Sequence, residues 1–413
     1  MSSPAPERHT LKNGIRAVAE PMPGAQSAVV VFRFTFGAKD DPSDRLGMAR
    51  IAENTLFKGT PSRDARNIFD AFDTLGIRRG SSTAVEYIEF RAQLLPRHFR
   101  HTLALYAEIF RSASFPDDQV AIAKTLALEE LKRLEDNPVQ QVLYLTYQAG
   151  LGDPMGRIPL GEPETVATIT APGVRNHWTT FCNPEDLLIS VAGGLEAADI
   201  FQAIEETFGE WSVEGGPPGA PYTLSVAART VHHHKQSEQA HIGILFRAVP
   251  RGHDFYYAGQ LAVAALSGSG SSRLFTEVRE KRGLAYHVAA FYRACRSGGL
   301  VALYAGTTAD RADETLAVCR REIERLAEDV TQDELDRSKT VLKGRLFTTG
   351  DLPDGRAGSL IEDLFLEGRV RSVDDIARGI DSVTLDQIPA YLKAFPPAPA
   401  TLVTLGPRAL EPE

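Results

Sequence analysis

Cysteine is scarce and scattered in this 413-residue chain, which argues against two ways of stabilising a fold. The three cysteines, Cys182, Cys295 and Cys319, lie far apart and form no C-x-x-C pair. Neither a disulfide framework nor a cysteine zinc site is therefore expected. We interpret all three as thiols in packed surroundings.

Long apolar runs are also missing. No segment approaches the roughly 18 apolar residues that a membrane-spanning helix needs. The first residues, MSSPAPERHT, contain no apolar stretch that could form the core of a signal peptide. These absences predict a cytoplasmic protein that does not associate with a membrane.

An excess of positive charge is the third absence. The chain has 45 basic and 54 acidic residues, a formal net charge of -9, which argues against nucleic acid as a partner. The remaining composition, 43% hydrophobic and 24% charged, is typical of a soluble globular protein. A chain of 413 residues exceeds what one compact core usually holds, so two domains are expected.

An internal repeat supports the division into two domains. The segment FPDDQVAIAKTLALEEL (115–131) aligns with VTQDELDRSKTVLKGRL (330–346) at an offset of 215 residues. The same offset places VEYIEFRA (85–92) on LVALYAGT (300–307), and both alternate as strands do. We therefore predict two tandem homologous α+β domains, each an antiparallel-rich sheet with packed helices.

The predicted boundary between the domains is the segment GGPPGAP (215–221). Its glycines and prolines disfavour helix and sheet, which is typical of an exposed linker. The first domain is therefore expected to span residues 1–214 and the second residues 222–413.

The segment LGMARIAENTLFKGT (46–60) has the spacing of an amphipathic helix. Arg50, Glu53 and Asn54 are expected to share one face, because residues three and four apart are neighbours on a helix. The opposite, buried stripe is predicted to contain Met48, Ile51, Ala52, Thr55 and Leu56.

This segment resembles the signature of the pitrilysin or insulinase-type zinc peptidases, which include the mitochondrial processing peptidases. The family pattern is similar to G-L-A-H-F-L-E-H-M-L-F-K-G-T, and the resemblance extends over essentially the whole chain. Glu130, in LALEELKRLEDNP, corresponds to the third zinc ligand of the family. Within the signature itself, the matching residues are Gly47, Ala49, Glu53, Leu56, Phe57, Lys58, Gly59 and Thr60.

Two departures from the family pattern concern the metal. The two ligand histidines correspond to Arg50 and Asn54, whereas a catalytic zinc normally needs three protein ligands and an open water position. A guanidinium cannot ligate, and an amide is a poor zinc ligand. We therefore expect no zinc in this chain, and Glu53, which corresponds to the general base, would have no metal-bound water to activate.

We hypothesise that the Arg50 guanidinium replaces the cation and pairs with Glu53 or with Glu130. The alternative is an exposed Arg50 on a solvated helix face. A further departure lies in GSSTAVEYIEF (80–90), where Gly80 and Ser81 replace the Asn and Ala of the family's substrate-aligning edge strand. That strand is expected to survive, though it could serve only as a half-buried structural strand.

A second block, SGSGSSRLFTEVREKRGLAYHV (267–288), also resembles the family. Its first six residues suit a loop that enters a helix, and Gly283 suits the C-terminal cap of that helix. By resemblance, Arg282 and Tyr286 form a substrate clamp that donates hydrogen bonds to a peptide carbonyl near the zinc. The alternative is that both residues only pack the helix end.

A chain with the clamp but without the zinc ligands predicts a partner that has the zinc. We therefore expect a non-catalytic, substrate-binding subunit of a heterodimeric zinc metalloendopeptidase, whose partner carries H-x-x-E-H and cleaves an extended peptide. One alternative is a structural or binding protein of the same fold. Another is a self-sufficient peptidase with an unusual metal site at Glu53 and Glu130. The tract His232, His233 and His234 is interpreted as a solvated segment rather than a metal site.

Overall fold

The structure is a computed structural model that describes residues 5–213, 222–398 and 400–410. The predicted linker, 215–221, lies outside these residues. The chain forms two compact units, each assembled from three segments. Unit 1 contains residues 1–132, 157–221 and 348–372, and unit 2 contains 133–156, 222–347 and 373–413.

Strands and helices occur mostly in separate runs along the described residues, as expected for an α+β protein. The strands are β1 (Glu7–Thr10), β2 (Arg16–Pro21), β3 (Ala28–Phe34), β4 (Arg78–Thr83), β5 (Ile88–Leu94), β6 (Leu187–Gly193), β7 (Arg229–His234), β8 (Gln239–Ala248), β9 (Ala285–Cys295), β10 (Gly298–Thr308) and β11 (Ala400–Gly406). The helices are α1 (Met48–Thr55), α2 (Ala65–Thr74), α3 (Phe99–Ser112), α4 (Asp117–Glu135), α5 (Pro138–Leu151), α6 (Pro163–Thr168), α7 (Ala171–Phe181), α8 (Ala197–Phe208), α9 (Tyr256–Ser267), α10 (Ala312–Asp329), α11 (Gln332–Gly350), α12 (Pro353–Glu367), α13 (Val373–Asp381) and α14 (Gln387–Ala394).

Each unit is built on one mixed, mostly antiparallel sheet. The sheet of unit 1 has the order β1-β2-β6-β3-β5-β4, and the sheet of unit 2 has the order β7-β11-β8-β10-β9. One pair in each sheet is parallel, β2 with β6 and β7 with β11. The predicted fold class, two tandem α+β domains with antiparallel-rich sheets, is therefore confirmed.

The central strand β3 explains why the sheet of unit 1 is covered on both faces. All seven of its residues, AVVVFRF, are buried, and a strand that is apolar on both faces needs a helix layer on each side. On one face Phe32 and Phe34 pack edge-on against Phe110. On the other face Val29 and Val31 pack against the apolar side of α12.

Two helices at equivalent positions of the repeat, α5 and α12, each belong to the unit formed mainly by the other half of the chain. Helix α5 lies in the first half of the chain but packs on β8 and β11 of unit 2, with Val142 beside Val403. Helix α12 lies in the second half but packs on β3 and β6 of unit 1, where Ser190 Oγ donates a hydrogen bond to the Ala357 carbonyl. The contiguous division expected from the sequence does not include this exchange, because an amphipathic pattern shows that a helix has an apolar face but not which sheet covers it.

The internal repeat is visible in the structure. Helices α4 and α11 each contain 19 residues, and both ends of α11 lie 215 positions after the ends of α4. The two aligned lysines make the same kind of contact: Lys124 donates to the carbonyls of Ala167 and Ile169, and Lys339 to those of Asp381 and Val383. Each lysine therefore fastens its long helix to the loop of a later helix.

The boundaries of one predicted strand differ from the structure. The expected strand 85–92 begins only at Ile88, because Ala84 N–H donates to the Tyr87 carbonyl and closes a loop between β4 and β5. Its partner in the repeat, 300–307, lies entirely within β10.

Within the described residues, no helix combines the length and the apolar composition that crossing a lipid bilayer requires.

Candidate functional site

Helix α1 carries the central residues of the sequence motif, and a buried carboxylate fixes where it begins. The Asp41 side chain accepts hydrogen bonds from the N–H groups of Gly47 and Ala49, both at 2.8 Å, and so satisfies donors that a helix start leaves unpaired. Gly47 has a φ of +96°, which glycine adopts without strain. The predicted apolar stripe is confirmed, since Met48, Ile51, Ala52, Thr55 and Leu56 are all buried.

Arg50 lies between two carboxylates of unit 1. Its Nη1 donates to Glu53 Oε2 at 2.6 Å, and its Nη2 donates to Glu130 Oε2 at 3.3 Å. Burial tends to lower the pKa of Arg50, but Glu53 and Glu130 together raise it above its ordinary value. The predicted alternative of a fully solvated Arg50 is wrong, because only 23% of the side chain is exposed and the guanidinium contacts both acids.

Glu53 is held by more groups than the sequence motif indicated. Its side chain is 3% exposed. Besides the Arg50 bond, it accepts a hydrogen bond from Ser81 Oγ on Oε1 and another from Thr83 Oγ1 on Oε2, the latter at 3.2 Å. Both hydroxyls come from strand β4, which packs against α1. Glu53 is thus a buried carboxylate with one charged and two neutral donors.

The remaining two motif residues are more open to solvent. Glu130 lies on α4 with 38% of its side chain exposed. Asn54 is half-buried on α1, and its side chain makes no hydrogen bond with the part of the chain that the structure describes. The structure therefore brings Arg50, Glu53 and Glu130 together and leaves Asn54 at the edge of the group.

The donor set of this group does not fit zinc. Zinc in a catalytic site takes three ligands from nitrogen, sulfur or carboxylate oxygen, and here a permanently protonated guanidinium lies against the two carboxylates that could serve. Among residues 5–213, 222–398 and 400–410, no three His, Cys, Asp or Glu side chains are grouped as a metal site. Arg50 supplies the positive charge that these carboxylates would otherwise take from an ion.

The second candidate site follows a π-helical segment, Phe275–Glu280, in unit 2. Arg282 lies two residues after this segment. Its Nη1 donates to both the carbonyl and the carboxylate of Glu277, five residues earlier, at 2.8 and 2.5 Å. Hydrogen bonds from Arg282 and Lys281 lower the pKa of Glu277 to about 2.

Tyr286 is the second residue of strand β9 and is 84% exposed, the highest value among the large hydrophobic side chains of the described residues. Its ring lies 4.9 Å from the Arg279 guanidinium. Gly283, predicted as the helix cap, has a φ of +57°, and Arg311 donates to the carbonyls of Gly283 and Arg282, each at 2.8 Å. The sequence analysis assigned no role to Glu277, although it lies within the block 267–288, nor to Arg311, which lies outside that block.

Other sequence signals have structural explanations. The three cysteines are buried and free, as predicted. In the histidine tract, His232 Nδ1 lies 2.9 Å from Thr404 Oγ1 of the neighbouring strand β11. His232 is therefore paired within the sheet.

Comparison with known families agrees with this fold. Residues 16–163 match the model described as "Insulinase (Peptidase family M16)", and residues 168–342 match the one described as "Peptidase M16 inactive domain". A zinc protease of Streptomyces coelicolor described as uncharacterized is 30% identical over 97% of this chain and 89% of its own. The zinc protease YmxG of Bacillus subtilis, also described as uncharacterized, is 28% identical over 92% of this chain and 93% of its own.

Two solved structures share the fold. The peptidase M16 inactive domain from Pseudomonas fluorescens has a TM-score of 0.90 at 20% identity, covering 98% of this chain and 99% of its own. A protease from Helicobacter pylori has a TM-score of 0.89 at 18% identity, covering 98% of this chain and all of its own. The fold is that of a zinc-protease-like protein. The chain belongs to peptidase family M16, the insulinase family.

Proposed function

We propose that this chain is the non-catalytic, substrate-binding subunit of a heteromeric zinc metalloendopeptidase. Its partner carries H-x-x-E-H, holds the zinc and hydrolyses an extended peptide. The observation that supports this proposal is the Arg50 guanidinium, placed on the carboxylates of Glu53 and Glu130 where zinc-binding relatives are expected to hold their metal.

The chemistry of Glu53 supports the same proposal. A general base must be free to accept a proton from water, at hydrogen-bond distance from it. Arg50, Ser81 and Thr83 already occupy both oxygens of the Glu53 carboxylate. With a cation on one oxygen and hydroxyl donors on both, Glu53 is suited to a structural role and poorly suited to base catalysis.

The Arg282 and Tyr286 pair retains the capacity to bind a peptide. Tyr286 presents an exposed phenol whose O–H can donate a hydrogen bond. Both hydrogen bonds that Arg282 makes with described residues use Nη1, so Nε and Nη2 are available to a peptide carbonyl. Glu277 and Arg311 fix the guanidinium and the backbone of this segment.

Co-purification tests the proposal. The chain is prepared alone and together with an M16 peptidase that contains H-x-x-E-H, preferably one encoded beside it. Zinc is then measured by elemental mass spectrometry, and cleavage by a peptide library. We expect zinc and cleavage only when the partner is present, and no cleavage when the partner's motif glutamate is replaced by Gln.

Two results would contradict the proposal. Stoichiometric zinc with proteolysis by this chain alone would show a self-sufficient peptidase. Stable assembly with proteins other than a peptidase, and no effect on any peptidase, would show a structural or binding role.

A further inference from the structure

Strand β4 needs support from outside its sheet. It lies at the sheet edge and pairs only with β5. Its sequence, RRGSST, contains one β-branched residue, Thr83, and Gly80 costs the strand conformational entropy. Pairing with one neighbour therefore leaves β4 weakly specified.

Each side chain on the inward side of β4 contacts a neighbouring side chain of unit 1. Arg79, Ser81 and Thr83 share one face because side chains alternate along a strand. Ser81 and Thr83 donate to Glu53. The Arg79 guanidinium lies over three aromatic rings, 4.4 Å from the centre of Phe72, 4.9 Å from Phe69 and 5.2 Å from Phe57.

On the outward side of β4, the described side chains make one longer hydrogen bond, from Arg78 Nη1 to Gln93 Oε1 at 3.4 Å. Arg78, Gly80 and Ser82 are exposed, as is Ser81 on the inward side, and an added Cβ at Gly80 would meet nothing within 4 Å. The order of the strand therefore depends on its inward contacts, of which the two to Glu53 are partly buried hydrogen bonds to a charged acceptor whose own side chain is buried.

We propose that Glu53 has a structural role and holds edge strand β4 against helix α1, with Arg50 as its counter-ion. Hydrogen bonds to a charged group contribute more than neutral ones, and a buried acceptor that loses its donors is costly. The carboxylate that resembles a catalytic base thus serves here to order a strand whose outer edge is open.

This inference deepens the proposed function, because an ordered open edge is what an extended peptide can pair with. The fastening itself is a property of the isolated chain. It can fail while the proposed function holds, and it can hold while the proposed function fails.

Hydrogen exchange measured by mass spectrometry on the full chain tests the inference. The double variant Ser81→Ala/Thr83→Val removes both hydroxyl donors and keeps similar volumes. We expect the β4 amides that are bonded to β5 to exchange at least about tenfold faster, as loss of hydrogen bonds to a charged group implies. Strand β3 should keep its protection.

Two control variants separate the hydroxyls from general strand effects. Ser82→Ala alters the outward face of the same strand and should leave exchange unchanged. The double variant Ser81→Thr/Thr83→Ser swaps the two residues and keeps both hydroxyls. Its β4 amides should exchange at nearly the wild-type rate. Unchanged β4 exchange in the double variant, or equally faster exchange throughout unit 1, would overturn the inference.

Discussion

The imidazole of His177 lies against the carboxylate of Asp41, with 3.6 Å between Nε2 and Oδ1. Both side chains are buried, and Nε2 has no hydrogen-bond partner among the described residues. Burial raises the pKa of Asp41 to about 7, although its bonds to Ala49 and Gly47 and the charge of Arg157 oppose this. Burial also lowers the pKa of His177 to about 4. Both groups are therefore neutral between these values, at the point that fixes the start of α1.

The pH dependence of stability should reveal the two groups separately. A raised pKa means that the folded state binds the Asp41 proton more tightly, so the Asp41 contribution to the unfolding free energy falls as pH rises from about 4 to about 7. The lowered pKa of His177 has the opposite effect, because its contribution is lost as pH falls from 6.5 towards about 4.

Urea unfolding of Asp41→Asn and His177→Phe across this range measures both contributions. The stability lost in Asp41→Asn should decrease as pH rises from about 4 to about 7, and that lost in His177→Phe should increase between about 4 and 6.5. Phenylalanine suits the second site because the His177 ring packs on Phe36 and Phe181. If the unfolding free energy of each variant changed with pH in parallel with that of the wild type, the prediction would be contradicted.

Arg50→Ala should destabilise unit 1, because it leaves Glu53 buried without its counter-ion. Breaking a fully buried pair costs about 3 to 5 kcal/mol; for the partly exposed Arg50 we expect about 2 kcal/mol. Thermal and denaturant unfolding measure this loss. Arg66→Ala is the control, since Arg66 is 88% exposed and pairs with Asp70 at 3.8 Å. If both variants were equally stable, the Arg50 pair would have no structural role.

Arg356 and Glu20 should be the strongest ion pair between α12 and the sheet of unit 1. Their side chains are 1% and 4% exposed, and Arg356 Nε donates to both Glu20 oxygens at 2.9 Å. Glu20→Ala should cost about 3 to 5 kcal/mol by leaving the guanidinium buried and unpaired. Replacing both residues with Met should recover much of the loss. In contrast, Arg378→Ala breaks the exposed pair with Asp375 and should cost under about 0.5 kcal/mol.

Within the proposed complex, Tyr286→Phe should lower turnover without lowering bound zinc. Loss of one donor to a developing oxyanion typically costs about 10²-fold or more in kcat. Steady-state peptide cleavage and zinc content, measured on the same preparation, check this. Tyr144→Phe is the matched control, because it removes the same hydroxyl group from a tyrosine outside the clamp. The Tyr144 hydroxyl contacts Gln140 on helix α5. Equal turnover in the two variants would count against the clamp.

Local patterns predicted the elements that depend on neighbouring residues. The helical spacing of 46–60 identified the buried stripe of α1, and the offset of 215 residues identified two equivalent long helices. Gly283 was expected to end a helix and does have a positive φ. The π-helical turn before it was not expected, because i→i+5 bonding has no simple sequence period and so the Glu277 to Arg282 contact was missed.

Contacts between distant residues were beyond these patterns. Ser81 and Thr83 follow Glu53 by 28 and 30 residues, and His177 is far from Asp41 in the chain. The sequence indicated one strand at 80–90, whereas the structure has the end of β4, a loop and the start of β5 there. Nor did the sequence indicate which helix lies against β4. Nor could it show that α5 and α12 change units, because either sheet could cover an apolar helix face.

The sequence by itself determined the chemistry available at the motif. An arginine and an asparagine stand where two imidazoles would be needed, and no folding can make a guanidinium a metal ligand. Only the tertiary structure decided what these residues do instead, because the contacts of Arg50 depend on how α1, β4 and α4 pack. Side-chain identity is local information, whereas the partner of a buried charge is set by chain segments that folding brings together.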